Sequence, residues 1–113
     1  KYIRELRQLL PVNCQIWKAI SISDHIPARN LLHVDRYVFD NGNGGTGESF
    51  DWNLLAGKTL DNVMLAGGLN ASNCILAAKL GSAGLDFNSG VETAPGIKDQ
   101  QKLEAVFQTL RAY

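Results

Sequence analysis

The chain opens with Tyr2, Ile3, Leu6, Leu9 and Leu10 at helical spacing, and Pro11 stops the pattern, so a short helix is predicted at the start. QIWKAISI, residues 15–22, is rich in isoleucine and nearly continuous in hydrophobicity, as a strand covered on both faces of a parallel sheet would be. PARNLLH can form a short helix with Pro27 in its first turn, and RYVFD reads as a second buried strand. FDWNLLAG predicts a helix with Ser49 or Asp51 as cap and Gly57 as stop. NVMLAGG is a third strand, and SNCILAAKLG a helix with Asn70 or Ser72 as cap and Gly81 as stop. AGLDFNSG is a fourth strand. In DQQKLEAVFQTLRAY an Asp99 cap precedes Leu103, Val106, Phe107 and Leu110 at i, i+3, i+4 and i+7, the strongest helical pattern in the chain.

Four strand patterns recur about every 20 to 25 residues with helical patterns between them, which is the βα repeat of a parallel α/β fold. The glycines lie on one side of that repeat. NGNGGTG, AGGLN and FNSG each follow a strand, so all three loops belong to the carboxyl ends of the strands, where parallel α/β proteins bind ligands. The 113 residues make one domain, able to bury roughly two-thirds of the surface of its unfolded chain. Lys and Arg number 11 and so do Asp and Glu, so no positive field is available to hold a polyanion, and nucleic acid is not an expected partner. No apolar run approaches the ~20 residues that span a bilayer, and the charged, amphipathic KYIRELRQLL does not resemble a signal peptide. No membrane association and a cytoplasmic location are expected. Cys14 and Cys74 lie far apart without paired spacing, which fits reduced thiols and no metal site. The single methionine is Met64, so Lys1 is not an initiator, and the chain is expected to be a piece of a longer protein.

A glycine-rich loop that leads into a helix exposes unpaired backbone N–H groups, and phosphate is the default occupant. Gly67 and Gly68 in one repeat and Ser89 and Gly90 in the next could donate to a single phosphate from two sides. Any one βα-loop glycine is as readily a plain turn residue, but three such loops on one face favour binding. Asp40 ends an apolar strand at the same face, where partial withdrawal from water suits a carboxyl to act as a general acid. An Asx turn that organises the glycine loop is the equally open alternative. Asp86 and Asn88 alternate with Leu85 and Phe87, which places both polar groups on one strand face. Beneath a helix layer that position would be costly for a charge; inside a barrel, near its top, it would face a ligand. Lys18 reads as a structural or ion-pairing residue, His25 and His33 as solvent-exposed, and Trp17 and Trp52 as core or helix-packing residues. Cys14 precedes its strand and so sits on the order of 25 Å from the working face. Cys74 falls on the apolar side of a helix, where small buried thiols are common.

VFDNGNGGTGESFDW, LAGGLNASN and LDFNSGVETAPGIKD together resemble the phosphoribosylanthranilate isomerase family, over essentially the whole chain and most firmly from Val34 to Tyr113. The ending FQTLRAY is similar to the terminus of members fused behind indole-3-glycerol-phosphate synthase. The resemblance implies an α/β fold, the carboxyl-terminal part of a TIM (βα)8 barrel. Residues 1–113 would be a single fragment, βα units five to eight preceded by the fourth helix. It also implies an Amadori rearrangement in tryptophan biosynthesis, performed without a cofactor by an intramolecular oxidoreductase of the aldose–ketose isomerase type. Asp40 matches the general acid that protonates the furanose ring oxygen. Gly67, Gly68, Ser89 and Gly90 match the phosphate loops, Gly45, Thr46 and Gly47 the loop that closes over substrate, and Asp86 a polar position facing the bound sugar. Asn88 stands where many members carry serine, and phosphate binding is expected to survive the difference.

The family's base is a cysteine in a Lys-x-Cys-Gly pattern on the first strand, and an arginine from the first half holds the anthranilate carboxylate. This chain has neither; Cys14, far from the working face, and Cys74, on the apolar side of its helix, cannot replace the base. The implied partners are the small phosphosugar substrate, the missing amino-terminal half of the barrel and a fused synthase domain. Without the base and the arginine the isolated chain is expected to be inactive, and its two unpaired strand edges lead to the expectation that it forms a homodimer or aggregates. Two other readings remain open at this level. One is another phosphosugar-binding TIM-barrel enzyme, such as an epimerase or the synthase itself, against which Asp40 followed by GGTG speaks. The other is a non-catalytic half barrel that binds only phosphate or another half.

Overall fold

The computed structural model describes residues 2–23, 25–29, 31–40 and 50–113. Helix α1, Tyr2–Leu9, ends where Pro11 requires, and the Leu10 N–H still donates to Leu6 O at 3.0 Å. Strands β1 (Trp17–Ser21), β2 (Arg36–Asp40), β3 (Val63–Leu65) and β4 (Gly84–Leu85) form one parallel sheet in chain order. The predicted second strand has these bounds, while the other three are shorter than their apolar runs.

The register decides what each face of the sheet carries. Ile20 pairs with Phe39, Phe39 with Leu65, and Leu65 with Leu85. These residues point the same way as Ile22, Tyr37 and Val63, into a core completed by Phe50, Leu55, Leu60, Leu69 and Ala77. Each large apolar side chain fully buried there contributes about 1.5–3 kcal/mol, so this face holds the fold together. The opposite face carries Trp17, Ala19, Ser21, Arg36, Val38, Asp40, Met64 and Gly84, none of which is buried. The expectation that the first strand is covered on both faces therefore fails: β1 is an edge strand whose outward-facing residues are exposed. Trp17 is likewise no core residue. It is 47% exposed on the open face, with the Arg36 guanidinium 6.0 Å from its ring centroid. Trp52, by contrast, packs against the core.

A long helix forms where a cap and a long apolar stripe coincide. Asp99 caps helix α3, Gln100–Arg111, by accepting from the Lys102 N–H, and Val106 is buried beneath it while Phe107 stays exposed. Asp51 accepts from the Asn53 N–H at 3.0 Å, but it caps only a 3-10 turn, Trp52–Leu55, before Gly57 at φ 74°. Helix α2 is Cys74–Ala78, stopped by Gly81 at φ 80°; Asn73 stands just before it without a side-chain cap bond, and the expected cap Asn70 accepts the Cys74 N–H at its carbonyl. The Asn70 carboxamide oxygen caps the turn that leads into it, as expected, taking the N–H groups of Ser72 and Asn73. PARNLLH shows no helix among its described residues. A segment this short cannot repay nucleation, and its polar groups bond elsewhere. Arg29 donates to Asn62 Oδ1 at 2.8 Å and to Thr59 O at 2.6 Å, and the Leu31 N–H donates to the Tyr37 hydroxyl.

One element was not anticipated. Strands β5 (Glu92–Ala94) and β6 (Ile97–Lys98) form an antiparallel hairpin whose turn places Pro95 before Gly96 at φ 80°. A Glu92–Lys98 ion pair braces it.

Candidate functional site

The open face ends, at the carboxyl termini of the strands, in a row of residues fixed by register. Ser21 is the Cα partner of Asp40. The Ala66 N–H donates to Phe39 O at 2.7 Å and the Asp86 N–H to Leu65 O at 2.9 Å, carrying the ladder one step beyond β3 and β4. The row thus reads Ser21, Asp40, Ala66, Asp86. Strands stand about 4.8 Å apart, so the two carboxylates are on the order of 10 Å from each other. Both are half-buried. This places Asp40 and Asp86 as expected, on one face and at one end. Leu85 and Phe87 pack into the core and turn Asp86 away from it.

The loop after β3 borders this row. Gly67 and Gly68 both have positive φ, 86° and 70°, a backbone that side chains other than glycine rarely adopt. Leu69, 1% exposed, anchors the loop in the core. Asn73 clamps it from above: its Nδ2 donates to Gly68 O and its Oδ1 accepts from the Asn70 N–H, each at 2.8 Å. The Gly67 and Gly68 N–H groups have no acceptor among the described residues.

The loop after β4 lies directly against it. Ser89–Val91 form a 3-10 turn anchored by Val91, 1% exposed. The turn's first two N–H groups, of Ser89 and Gly90, have no partner within it. A Cβ on Gly90 would fall 1.8 Å from Leu69 O, so the two loops touch backbone to backbone and only glycine fits. Four candidate phosphate donors are therefore gathered on two touching loops. A cleft of about 190 Å³ opens beside Ser89, lined by Glu92, Thr93, Ala94 and Pro95. Its hydrogen bond from Lys98 holds the Glu92 carboxyl below the ordinary carboxylate range.

Gly45, Thr46 and Gly47 lie outside the described residues. Asn88 stands just before the Ser89–Val91 turn, where only its backbone carbonyl accepts, from the Val91 N–H, and it is exposed. Cys14 is half-buried ahead of β1, at the end opposite the row, and Cys74 is fully buried with its thiol against Ala71 O, so neither free thiol reaches the site. His25, His33 and Lys18 are exposed, and His33 has an unusual φ of 70°. Ser21 and Asn73 are not singled out by the sequence, whereas Asn70 is, as a helix cap. Alternation with Ile20 and Ile22 was the available signal for Ser21. Gly57-Lys58-Thr59 copies the end of a P-loop signature, but Trp52 stands where that signature needs its first glycine, and Gly57 merely stops a turn.

A family model for N-(5'phosphoribosyl)anthranilate (PRA) isomerase matches residues 1–109. The "Tryptophan biosynthesis protein TrpCF" of Yersinia pestis is 64% identical over 113 residues, covering 100% of this chain and 24% of that protein. The protein of the same name from Salmonella typhi is 63% identical over 112 residues, 99% of this chain and 25% of its own length. The crystal structure of phosphoribosyl anthranilate isomerase from Thermus thermophilus superposes with a TM-score of 0.72 at 33% identity, over 87% of this chain and 50% of that one. The chain thus spans about a quarter of the curated relatives it matches and half of the solved one. Its four-stranded parallel sheet is part of a TIM barrel, and its glycine loops stand at the end of that sheet where such barrels bind ligands. The chain belongs to the N-(5'-phosphoribosyl)anthranilate isomerase family.

Proposed function

We propose that this chain supplies βα units five to eight of an isomerase barrel, preceded by its fourth helix, and half of the active site. The whole protein would convert N-(5'-phosphoribosyl)anthranilate to 1-(o-carboxyphenylamino)-1-deoxyribulose 5-phosphate. The observation that carries this reading is the placement of Asp40 and Asp86 in one row beside two glycine loops in backbone contact. That arrangement accommodates a sugar along the row and its phosphate at the row's end.

In this reading Asp40 gives its proton to the furanose ring oxygen, the bond from that oxygen to C1 breaks, and the amine nitrogen lone pair forms a C1–N double bond. A base then removes the C2 proton, which leaves an enolamine. Return of that proton to C1 and loss of the proton from the C2 hydroxyl, which leaves the C2 ketone and restores the acid, complete the rearrangement, with C1 reduced and C2 oxidised inside one molecule. Gly67, Gly68, Ser89 and Gly90 hold the phosphate through backbone N–H groups. Asp86 faces the sugar, and Gly45, Thr46 and Gly47 belong to the loop that closes over it. The base and the group that binds the anthranilate carboxylate come from the first half of the barrel, which we place as the partner of the open sheet face. A fused indole-3-glycerol-phosphate synthase domain and a cytoplasmic setting complete the proposal.

The test follows the decay of phosphoribosylanthranilate fluorescence, first with this chain alone and then with the amino-terminal half added. No turnover alone and turnover on mixing is the expected result. Asp40→Asn should lower kcat of the assembled enzyme by about 10²–10⁴, the usual contribution of a positioned proton donor. Folded, associated halves without turnover would reduce the molecule to a phosphate-binding half barrel. Full activity of the isolated chain would overturn the split site.

A further inference from the structure

The row that holds both carboxylates begins with Ser21, and no role has been assigned to it. Three observations single it out from an ordinary exposed serine. Ser21 is the register partner of Asp40, and the Ile22 N–H donates to Asp40 O at 2.7 Å, which locks the pairing at this level. Ile20 and Ile22 on either side turn into the core, Ile22 to 2% exposure, so the Ser21 side chain must point to the face that Asp40 occupies. Its hydroxyl makes no hydrogen bond among the described residues, and Ala19, next on the same face, is too small to cover it.

Resting on the isomerase reading above, we infer that the Ser21 hydroxyl binds the sugar of the substrate beside Asp40 and sets the ring's orientation for proton transfer. Neighbouring strands stand about 4.8 Å apart, so oxygens from the two residues can both reach one sugar at hydrogen-bond distances of about 2.8 Å. A hydroxyl both donates and accepts, which suits it to a sugar hydroxyl next to the ring oxygen that Asp40 protonates. The ligand chemistry is that of a polyol. The phosphate is held two and three strands away, so sugar and phosphate recognition are separable.

The test uses the whole barrel, with this segment joined to the preceding half. Ser21→Ala should lower kcat/KM for phosphoribosylanthranilate by about threefold to tenfold, the range of one neutral hydrogen bond, and leave the affinity for inorganic phosphate unchanged. Ser21→Thr and Ser21→Val form a second pair of equal size that suits a strand and differs only in the hydroxyl. The threonine variant should stay near the parent and the valine variant should fall with alanine. Equal kcat/KM for threonine and valine, or parental kcat/KM in the alanine variant, would overturn the assignment. So would loss of phosphate affinity in the alanine variant, since that marks a structural effect. Asp40→Asn, measured alongside, separates the two levels: if it keeps full activity the isomerase reading itself falls, whereas its loss with normal Ser21→Ala kinetics sinks only the serine.

Discussion

Gly90 and the pair Gly67–Gly68 are glycines for different reasons. At Gly67 and Gly68 the backbone turns to positive φ, whereas at Gly90 the obstacle is the Leu69 carbonyl, 1.8 Å from where a Cβ would stand. Gly90→Ala must therefore push two backbones apart. It should cost about 1–3 kcal/mol of stability, as overpacking usually does, and weaken phosphate binding by separating the loops. Thermal unfolding and calorimetric titration with phosphate check both, and an unchanged phosphate affinity would mean that the loop contact does not shape the site. All these glycines were legible in the sequence as loops after strands, but their separate causes were not, because a close approach involves atoms 21 residues apart in the chain (90 − 69). Asp40 was legible as the polar end of an apolar run. Ser21 was not, since alternation with Ile20 and Ile22 gives only its strand face, and the register that sets it beside Asp40 joins residues 19 positions apart (40 − 21).

Among elements, α3 shows how much local signals can settle. Its cap, its apolar spacing and its end all sit within the sequence DQQKLEAVFQTLRAY, and the structure follows them. Asp99→Ala removes the acceptor for the Lys102 N–H and should destabilise the fold by about 0.5–2 kcal/mol in chemical denaturation, the range for a lost N-cap. A neutral result would mean that the Asp99 N–H bond to Val91 O holds the helix start by itself. The weaker helix patterns shrank because tertiary partners outweighed them. Arg29 is drawn to Asn62 and Thr59, and one turn suffices between Asp51 and Gly57. The β5–β6 hairpin is not legible in the sequence because strands of three and two residues carry too little periodicity. Pro95-Gly96 was its one visible mark.

On the scale of the molecule the open sheet dominates. The Cα radius of gyration is 15.1 Å, against about 13 Å for a compact domain of this length. One sheet face and the outer edges of β1 and β4 lack a partner among the described residues, and parallel edges of this kind invite pairing with another chain. The isolated chain should therefore associate at high concentration, and adding the amino-terminal half of the barrel should suppress that association. Light scattering reads both, and a compact monomer at high concentration would refute the expectation.

By itself the sequence determined the βα order, the parallel class, the side of the repeat on which the glycines fall, and Asp40 at the end of its strand. Each of these follows from residues within a few positions of one another, through periodicity, caps and turn chemistry. Only the tertiary structure decided which sheet face is covered, that Trp17 lies on the open one, that Gly90 meets Leu69, and that Ser21, Asp40 and Asp86 share one row. Those facts depend on the register between strands some 20 residues apart, which is set by how the apolar face packs and not by any stretch of chain read alone.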